Sequence, residues 1–315
     1  MAARIALIVN PTAGGGAGRA AGHQTRLLLR QAGHAIVEAS AASVDGARQR
    51  GAQAVADGAD LLVVVGGDGM VHLGVNLCAG GGPPLAVVAA GSGNDFARDL
   101  GLPVHDVRAS VRLIEAGATR RVDAGRVVGA HGAATGEGAQ GANGAEGAHT
   151  WFAGVLGAGF DAVVGARAAR LRWPPGRLRY AVAVARELPG FRPLPYVVEL
   201  DGRRHELCAM LVAVANTTAF GGGMRVCPHA DVADGLFDVL IVRALSKPDF
   251  LRVFPLVYSG RHLGHPAVET HRAARVRLAA EGALAQADGE GMPWPPLEIV
   301  NVPGALEVVG AGRAA

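Results

Sequence analysis

The chain has few of the residues on which nucleic-acid-binding, disulfide-rich and membrane-spanning proteins depend. Of its 315 residues only 4% are aromatic, and no run of Lys and Arg is suited to nucleic acid. Its three cysteines are odd in number and lack metal-ligand spacing, which predicts reduced, buried and unreactive thiols. The longest uninterrupted apolar run, residues 207–215, is far too short to cross a bilayer. We therefore expect no nucleic-acid partner, no disulfide bond and no transmembrane segment.

Small and apolar residues dominate what is present. Half of the residues are hydrophobic and 47 are glycine, a globular composition rich in turns, and the length allows two domains with separate cores. The net charge of +3 and the pI near 9.0 permit an anionic membrane surface or a phosphorylated ligand as partner. The first residues lead directly into an apolar strand pattern without a secretory signal, so we expect a cytoplasmic location.

The most informative segment is an apolar run that ends in glycines around one carboxylate. Residues 61–65 read Leu-Leu-Val-Val-Val, which predicts a strand buried on both faces, and Gly66-Gly67-Asp68-Gly69 follows. The next residues predict a helix, whose free N–H groups would point at a ligand above the turn. A phosphate suits that position, and Asp68 is suited to its magnesium ion. An ordinary strand-to-helix turn is the alternative for this segment alone.

Two further segments repeat this design. A strand pattern at 4–9 precedes Asn-Pro-Thr-Ala-Gly at 10–14, and another at 85–90 precedes Gly-Ser-Gly-Asn-Asp at 91–95. In open α/β sheets, ligands bind at the carboxyl ends of the strands. Three such turns at one end of one parallel sheet predict a nucleotide site.

The pattern of elements predicts two domains. Alternating strands and helices predict a doubly wound, Rossmann-like α/β domain at 1–123. From 124 to 295, short strands and Asp-Gly turns predict an antiparallel β domain with one or two helices, near 177–188 and 247–259. We expect the catalytic crevice between the two domains. Residues 129–149 are almost all Gly, Ala, Glu and Gln and predict a disordered loop.

Taken together, these motifs resemble the diacylglycerol kinase catalytic-domain family, the soluble bacterial lipid kinases related to sphingosine and ceramide kinases. The resemblance covers nearly the whole chain, and the order and spacing of the motifs make it specific. Besides the three turns, it rests on Gly157-Ala158-Gly159-Phe160-Asp161, Phe220-Gly221-Gly222-Gly223-Met224, Pro228 with Asp234-Gly235-Leu236-Phe237-Asp238, and Asp288-Gly289-Glu290.

The resemblance implies ATP-dependent transfer of a γ-phosphate to a hydroxyl of diacylglycerol or a similar lipid. It implies an N-terminal domain like those of phosphofructokinase and NAD kinase and a C-terminal β-sandwich, with the last strand, 296–312, returning to the first domain. A polar residue after the second strand is also expected, and either Ser40 or Ser43 supplies it. The implied ATP-binding residues are Asn10, Pro11, Thr12, Ala13, Gly14, Ser40, Gly66, Gly67, Asp68, Gly69, Met70, His72, Gly91, Ser92, Gly93, Asn94 and Asp95.

The catalytic assignments rest on the resemblance together with the chemistry of phosphoryl transfer, which needs positioning and charge neutralisation. The polar groups expected around magnesium are those of Asp68, Asn94, Asp95 and Asp123. Glu290 is the expected general base, because a lipid hydroxyl must lose its proton as the P–O bond forms. Asp288 would raise the pKa of Glu290 or orient it, whereas a plain hairpin turn is the alternative for residues 288–290.

A second, structural magnesium site is also implied by the resemblance. Its ligands would be the Asp234 carboxylate and the backbone carbonyls of Asp231 and Leu236. A simple Asp-Gly turn is the alternative at this position.

The chain departs from the family pattern after Asp68. Family members have Thr, an aliphatic residue, Asn and Glu where this chain has Met70, Val71, His72 and Leu73, and they have Asn at the position of Gly154. These changes predict lower activity or altered nucleotide preference.

Residues 167–192 alternate Arg with apolar side chains, which suits transient contact with an anionic membrane, although a packed helix with snorkelling arginines explains the pattern equally well. The sequence leaves a homodimer open.

Other functions remain as alternatives. Gly16-Ala17-Gly18-Arg19-Ala20-Ala21 with Glu38 fits the fingerprint of an NAD(P)-dependent oxidoreductase. An NAD kinase or phosphofructokinase-type enzyme shares the Gly-Gly-Asp-Gly turn. The changes after Asp68 also fit a catalytically impaired sensor of lipid or nucleotide.

Overall fold

The computed structural model describes residues 2–129, 149–171, 173, 177–293 and 295–310. The chain forms two compact units: described residues 2–124 and 303–310 make up the first, and those between 125 and 302 make up the second. All of the segment predicted to be a disordered loop, except residues 129 and 149 at its ends, lies outside the described residues.

The first unit is built from alternating strands and helices. Its strands are β1 (Arg4–Val9), β2 (Ala35–Glu38), β3 (Leu61–Gly66) and β4 (Leu85–Ala89), and its helices are α1 (Ala17–Gln31), α2 (Val44–Ala56), α3 (Asp68–Cys78), α4 (Asp95–Asp99) and α5 (Val107–Ala116). The strands pair in parallel in the order β4-β3-β1-β2. All residues of β3 are buried, as its uninterrupted apolar run predicts. Helices α1 and α2 end before glycines at 33 and 58 with left-handed φ values of 90° and 82°, a conformation common just after a helix C terminus.

The second unit is mostly antiparallel. Its strands, counting two that it shares with the first unit, are β5 (Thr119–Gly129), β6 (His149–Phe152), β7 (Val155–Gly159), β8 (Leu194–Leu200), β9 (Arg203–Ala215), β10 (Phe237–Arg243), β11 (Val268–Ala273), β12 (Arg275–Ala279), β13 (Ala285–Ala287), β14 (Glu290–Gly291) and β15 (Leu297–Val309). Its helices are α6 (Phe160–Arg170), α7 (Arg177–Glu187) and α8 (Lys247–Val253). The strands follow the order β14-β13-β7-β9-β8-β12-β15, with β10 on β9 and β11 on β10.

Alternate residues of β9 face two different cores. Val212 and Val214 belong to an apolar cluster formed mainly by strands, whereas Ala213 and Ala215 belong to a second cluster that includes the helices α6, α7 and α8. Because both faces of β9 are covered, its apolar run is nearly continuous instead of alternating with polar residues.

Strands β5 and β15 each belong to both units. β15 pairs with β12 at Leu297–Val300 in the second unit and in parallel with β4 at Val308 in the first. The chain thus returns to the first unit through its last strand.

Three sequence-based expectations differ from the structure. Among the described residues the second unit has three α-helices, because residues 160–170, which were not predicted to be helical, form α6 with Phe160 and Val164 on its buried face. The helix predicted at 247–259 ends at Val253 and continues as a 3-10 helix, where Pro255 removes a backbone donor. Cys208 is exposed, unlike the buried Cys78 and Cys227.

Within the described residues, no helix is both long and apolar enough to cross a membrane.

Candidate active site

Three glycine-rich turns meet at the carboxyl edge of the first unit's sheet, with backbone packed on backbone. Gly14 has φ of 58°, and a Cβ placed on it would lie 2.4 Å from the carbonyl oxygen of Ala90. A Cβ on Gly91 would lie 2.3 Å from the Cα atom of Gly67. Side chains at these positions would push the turns apart, so glycine is what brings them together.

Two of these turns lead into the N termini of helices. Gly16 precedes α1 and Gly67 precedes α3, and among the described residues no side chain caps either helix. Residues Pro11, Thr12 and Ser92 of the turns are exposed. Uncapped helix N termini carry partial positive charge and unpaired donors, which suit the phosphates of a nucleotide.

The first turn is held in shape by Asn10. Its Oδ1 atom accepts hydrogen bonds from the backbone N–H of Thr12 at 3.0 Å and from the Thr12 hydroxyl at 2.8 Å. Of the two serines predicted after β2, Ser43 caps α2 by accepting from the N–H of Gly46. Ser40 accepts instead from the N–H of Val9 at 2.9 Å, which ties it to the end of β1 next to the first turn.

Asp68 links the second turn to the third. Its Oδ2 atom accepts from the N–H of Asn94 at 2.9 Å and its Oδ1 atom from the N–H of Phe96 at 3.3 Å, so it caps α4. Asn94 has a left-handed φ of 61° and its side-chain amide binds both the N–H and the carbonyl of Gly91, at 2.9 and 2.7 Å. This network makes Asp68 and Asn94 structural organisers of the site as well as candidate ligands.

The carboxylates of Asp68 and Asp95 fit a magnesium ion that is shared with phosphates. A Cβ on Gly93 would lie 2.8 Å from Oδ2 of Asp68 and 3.9 Å from Oδ2 of Asp95, so both oxygens approach the backbone of the third turn. The described residues hold no group of three or more His, Cys, Asp or Glu side chains arranged for a metal. Magnesium is ordinarily held by one or two carboxylates, waters and substrate phosphates, so Asp68 and Asp95 would suffice as its protein ligands.

Asp123 lies on β5 and is only 2% exposed. Its Oδ1 atom accepts from the N–H of Gly304 on β15 at 2.8 Å. This hydrogen bond joins β5, which leaves the first unit, to β15, which returns to it. The Asp123 carboxylate therefore has a structural role.

The residues that depart from the family pattern are packed into α3. His72 and Leu73 are 6% and 3% exposed, and Nε2 of His72 lies 3.3 Å from the side-chain nitrogen of Asn76. A leucine is therefore well suited to the buried position 73, where a carboxylate would need a partner. Met70 is half-buried, and its Cγ atom would lie 2.5 Å from a Cβ on Gly66.

In the second unit, Asp288 and Gly289 form the tight turn between β13 and β14. Both have positive φ, 52° and 87°, and Ala287 pairs with Glu290 across the turn, as in a type I′ hairpin. The Asp288 carboxylate accepts hydrogen bonds from the N–H groups of three consecutive residues, 153, 154 and 155, at 3.1, 2.9 and 3.2 Å. Asp288 thus holds the start of β7. The prediction was that it would raise the pKa of Glu290 or orient that side chain. Glu290 itself is exposed.

The turn predicted as a second magnesium site has its carboxylate engaged. Asp234 accepts from the N–H of Leu236 at 3.0 Å and forms an ion pair with Arg272. Asp231 accepts from the N–H of Ala233 at 3.0 Å. Arg272 also lies 3.9 Å from Asp238, so one guanidinium serves two carboxylates, and the second magnesium site stays a prediction.

Comparisons with known proteins decide the family. Residues 4–127 match the model of the diacylglycerol kinase catalytic domain, and residues 154–310 match the C-terminal, NAD kinase β-sandwich-like domain named after YegS. A diacylglycerol kinase of Mycobacterium tuberculosis is 37% identical over 307 residues, covering 97% of this chain and 94% of that protein. The chain belongs to the diacylglycerol kinase family. The resemblance stated from its motifs is confirmed.

Solved structures agree on the fold of this family member. A diacylglycerol kinase from Bacillus anthracis has a TM-score of 0.68 at 20% identity, with 97% of this chain and 96% of that chain covered. An NAD kinase from Archaeoglobus fulgidus, solved in complex with ATP, has a TM-score of 0.53 at 12% identity, with 98% and 94% covered. The predicted fold class, a nucleotide-kinase-like α/β domain with a C-terminal β-sandwich, is confirmed. Glu38, the ribose contact of the oxidoreductase alternative, instead forms an ion pair with Arg26.

Proposed function

We propose that this family member is an ATP-dependent lipid kinase that transfers the γ-phosphate to a hydroxyl of diacylglycerol or a similar lipid. The observation that carries the proposal is the packing of three glycine turns around Asp68, with two uncapped helix N termini beside it. That arrangement supplies donors for phosphates and carboxylates for their counter-ion. The relatives named diacylglycerol kinase support a lipid acceptor. The ATP complex of the similarly folded NAD kinase supports ATP as the phosphate donor.

In the proposed reaction the lipid hydroxyl oxygen attacks the γ-phosphorus atom as the bond to the ADP oxygen breaks. The hydroxyl proton passes to a carboxylate, a role that we assign to Glu290. Backbone N–H groups of the turns at residues 10–14, 66–69 and 91–95 hold the phosphates in line. Asp68 and Asp95 would hold a magnesium ion, which would supply positive charge to offset that of the transferred group. Asp123 and Asp288 act by holding backbone, through the contacts described above.

The test is transfer of labelled γ-phosphate from Mg-ATP in mixed micelles. The acceptors are diacylglycerol, monoacylglycerol, phosphatidylglycerol, sphingosine, ceramide and NAD. We expect label in a lipid. Glu290→Gln should lower kcat by about 10²–10⁴-fold, whereas Glu281→Gln, the same change on another exposed residue of the second unit, should leave it unchanged. Label in NAD alone, or ATP binding without label in any acceptor, would overturn the proposal and favour an NAD kinase or a sensor.

We also propose that the kinase acts at the cytoplasmic face of a membrane, to which it binds through the segment 167–192. Trp173 and Leu178 there are 79% and 65% exposed, and Arg170 and Arg186 of the same segment are also exposed. Large apolar side chains among arginines suit an anionic bilayer interface. Trp173→Ala with Leu178→Ala should lower co-sedimentation with anionic vesicles, and Leu251→Ala, at a residue 53% exposed in the same unit, should not. Equal binding by all three proteins would contradict this part.

A further inference from the structure

Gln286 is a buried polar residue to which the proposed reaction gives no part. It is 6% exposed and lies on β13, the strand that leads into the hairpin turn before Glu290. Across the hairpin it pairs with Gly291 of β14, the residue next to Glu290. Burying an amide costs free energy unless its polar atoms find partners. The contacts of this amide therefore show what Gln286 holds in place.

The amide of Gln286 packs directly against the backbone of α6. A Cβ placed on Gly165 would lie 2.2 Å from Nε2 and 2.4 Å from Oε1 of Gln286. The Nε2 atom also donates a hydrogen bond of 3.4 Å to the backbone carbonyl of Asp161, about one helical turn before Gly165. Glycine is less favourable than alanine within a helix, and at position 165 its missing Cβ leaves room for the amide. Gln286 thus joins β13 to α6.

A second glycine brings α6 close to the strand beside β13. Gly157 of β7 pairs directly with Gln286. A Cβ on Gly157 would lie 1.5 Å from Oδ2 of Asp161, so a side chain there would displace the first turn of α6. Strands β7 and β13 and helix α6 therefore meet at one tightly packed junction, with the Gln286 side chain at its centre.

Helix α6 is itself held in an apolar core. Phe160 packs edge-to-face on Phe250 of α8, with the ring centroids 4.9 Å apart, and both belong to one buried cluster with Val164. Phe160 and Val164 also line an apolar cavity within the second unit, whose wall includes Asp161 and His262. Because α6 is held by these contacts, the contact with Gln286 fixes β13 relative to the core.

The hairpin that carries Glu290 therefore has two anchors. Asp288 holds its turn to the start of β7 through three backbone N–H groups. Gln286 holds its first strand to α6. Glu290 is exposed, so the backbone of this hairpin sets where its carboxylate lies.

We propose that Gln286 is a positioning residue, which fixes the carboxylate of Glu290 for proton transfer by holding the β13–β14 hairpin against α6. The inference rests on the proposed function, in which Glu290 accepts the proton of the lipid hydroxyl. A general base must lie within hydrogen-bond reach of the proton that it removes, and a displacement of about 1 Å can cost on the order of 10²-fold in rate. Gln286 contacts neither substrate in this proposal and acts only through Glu290.

The experiment is a double-mutant cycle in the micelle assay, with kcat and the KM for ATP measured separately. Gln286→Leu removes the amide, and Gly165→Ala displaces the amide while leaving Gln286 in the chain. Each is made alone and together with Glu290→Gln. Thr25→Val is the matched control, because Thr25 is a buried side chain that donates to a helix carbonyl, that of Ala21, at 2.8 Å in the first unit. Thermal unfolding checks that every variant is folded.

We expect Gln286→Leu to lower kcat by about 10- to 100-fold and Gly165→Ala by about three- to tenfold. The KM for ATP should not change, because the turns proposed to bind ATP belong to the first unit. In the Glu290→Gln background neither change should lower kcat further, since both act through the same carboxylate. Thr25→Val should leave kcat unchanged.

Three results would overturn this inference and leave the proposed function intact. They are a further loss of kcat when either change is added to Glu290→Gln, a higher KM for ATP without a lower kcat, and wild-type kcat in both Gln286→Leu and Gly165→Ala. Full activity of Glu290→Gln alone would instead remove the proposed base, and this inference with it.

Discussion

The carboxylate of Asp288 binds the backbone of Gly154, with Oδ1 accepting its N–H at 2.9 Å. Both flanking residues, Ala153 and Val155, donate to the same carboxylate. Asp288 belongs to a hairpin turn and Gly154 to the start of β7, 134 positions earlier in the chain. Asp288 therefore anchors the backbone at the start of β7. The two carboxylates of the Asp-Gly-Glu motif differ in role, since Glu290 is the proposed base.

We predict that Asp288→Asn destabilises the protein and that Glu290→Gln does not. Replacing the carboxylate weakens two or three charge-assisted bonds, which is worth about 2 kcal/mol of unfolding free energy, as measured in urea. Asp201→Asn is the matched control, since Asp201 also has positive φ in an Asp-Gly hairpin and accepts from the N–H groups of Ala274 and Arg275. Asp201→Asn should lower stability without changing kcat. Equal unfolding free energies for wild type and Asp288→Asn would contradict the anchor.

We predict that Asp68→Asn lowers ATP affinity and kcat together. The amide retains one oxygen to cap α4 but loses the charge proposed for magnesium, so a drop of at least about 10²-fold in kcat/KM is expected. Asp45→Asn, at an exposed first-turn position of α2, provides the same charge change away from the turns. An ATP titration at several magnesium concentrations measures the effect. Unchanged magnesium dependence in Asp68→Asn would remove this residue from the metal site.

We predict that Gly91→Ala separates the second and third turns. Its new Cβ would lie 2.3 Å from the Cα atom of Gly67, and backbone cannot yield as a side chain does. Nucleotide affinity should fall by more than tenfold, and the unfolding free energy by about 1–3 kcal/mol. Gly264→Ala meets nothing within 4 Å and should be neutral in both measurements. Normal ATP binding by a folded Gly91→Ala protein would show that the close approach is not needed.

We predict a pH dependence of stability that is due to Asp161. Because burial raises the pKa of Asp161 from 3.8 to about 7, the unfolded chain releases this proton at a lower pH than the folded chain does. Between these values the folded state binds more protons, so stability falls as pH rises from about 4 to 7 and changes no further above it. The loss is on the order of 4 kcal/mol at most.

Urea unfolding of wild type and Asp161→Asn at each pH isolates this effect, because the substitution removes one ionisable group. Two ionisable groups near Asp161 are Tyr196, whose pKa burial and the charge of Asp161 raise, and His262 in the cavity wall. Tyr196 titrates above this pH range in both proteins. The titration of His262 is common to both proteins, so its effect on the unfolding free energy cancels in their difference. Parallel stability curves from pH 4 to 7 would contradict a raised pKa at Asp161.

Much of the first unit could be predicted from local sequence. The apolar run of β3 and the glycines that end α1 and α2 act over a few residues, so strand and helix positions follow from the chain itself. The helix α6 was missed because glycines and an aspartate at its start indicate a turn, and only packing of Phe160 and Val164 against the second unit's sheet makes it a helix. Cys208 was expected to be buried because composition does not reveal that the first half of β9, where Cys208 lies, stays largely exposed.

The sequence by itself determined the family, the two compact units and the three glycine-rich turns, because each depends on short-range patterns of glycine, apolar runs and spacing. Only the tertiary structure decided what the carboxylates do. It assigned Asp288 to the backbone of Gly154, Asp123 to Gly304, Asp234 to Arg272 and Asp161 to a cavity wall. These contacts join segments far apart in the chain, and the burial that sets the pKa of Asp161 exists only once those segments have packed together.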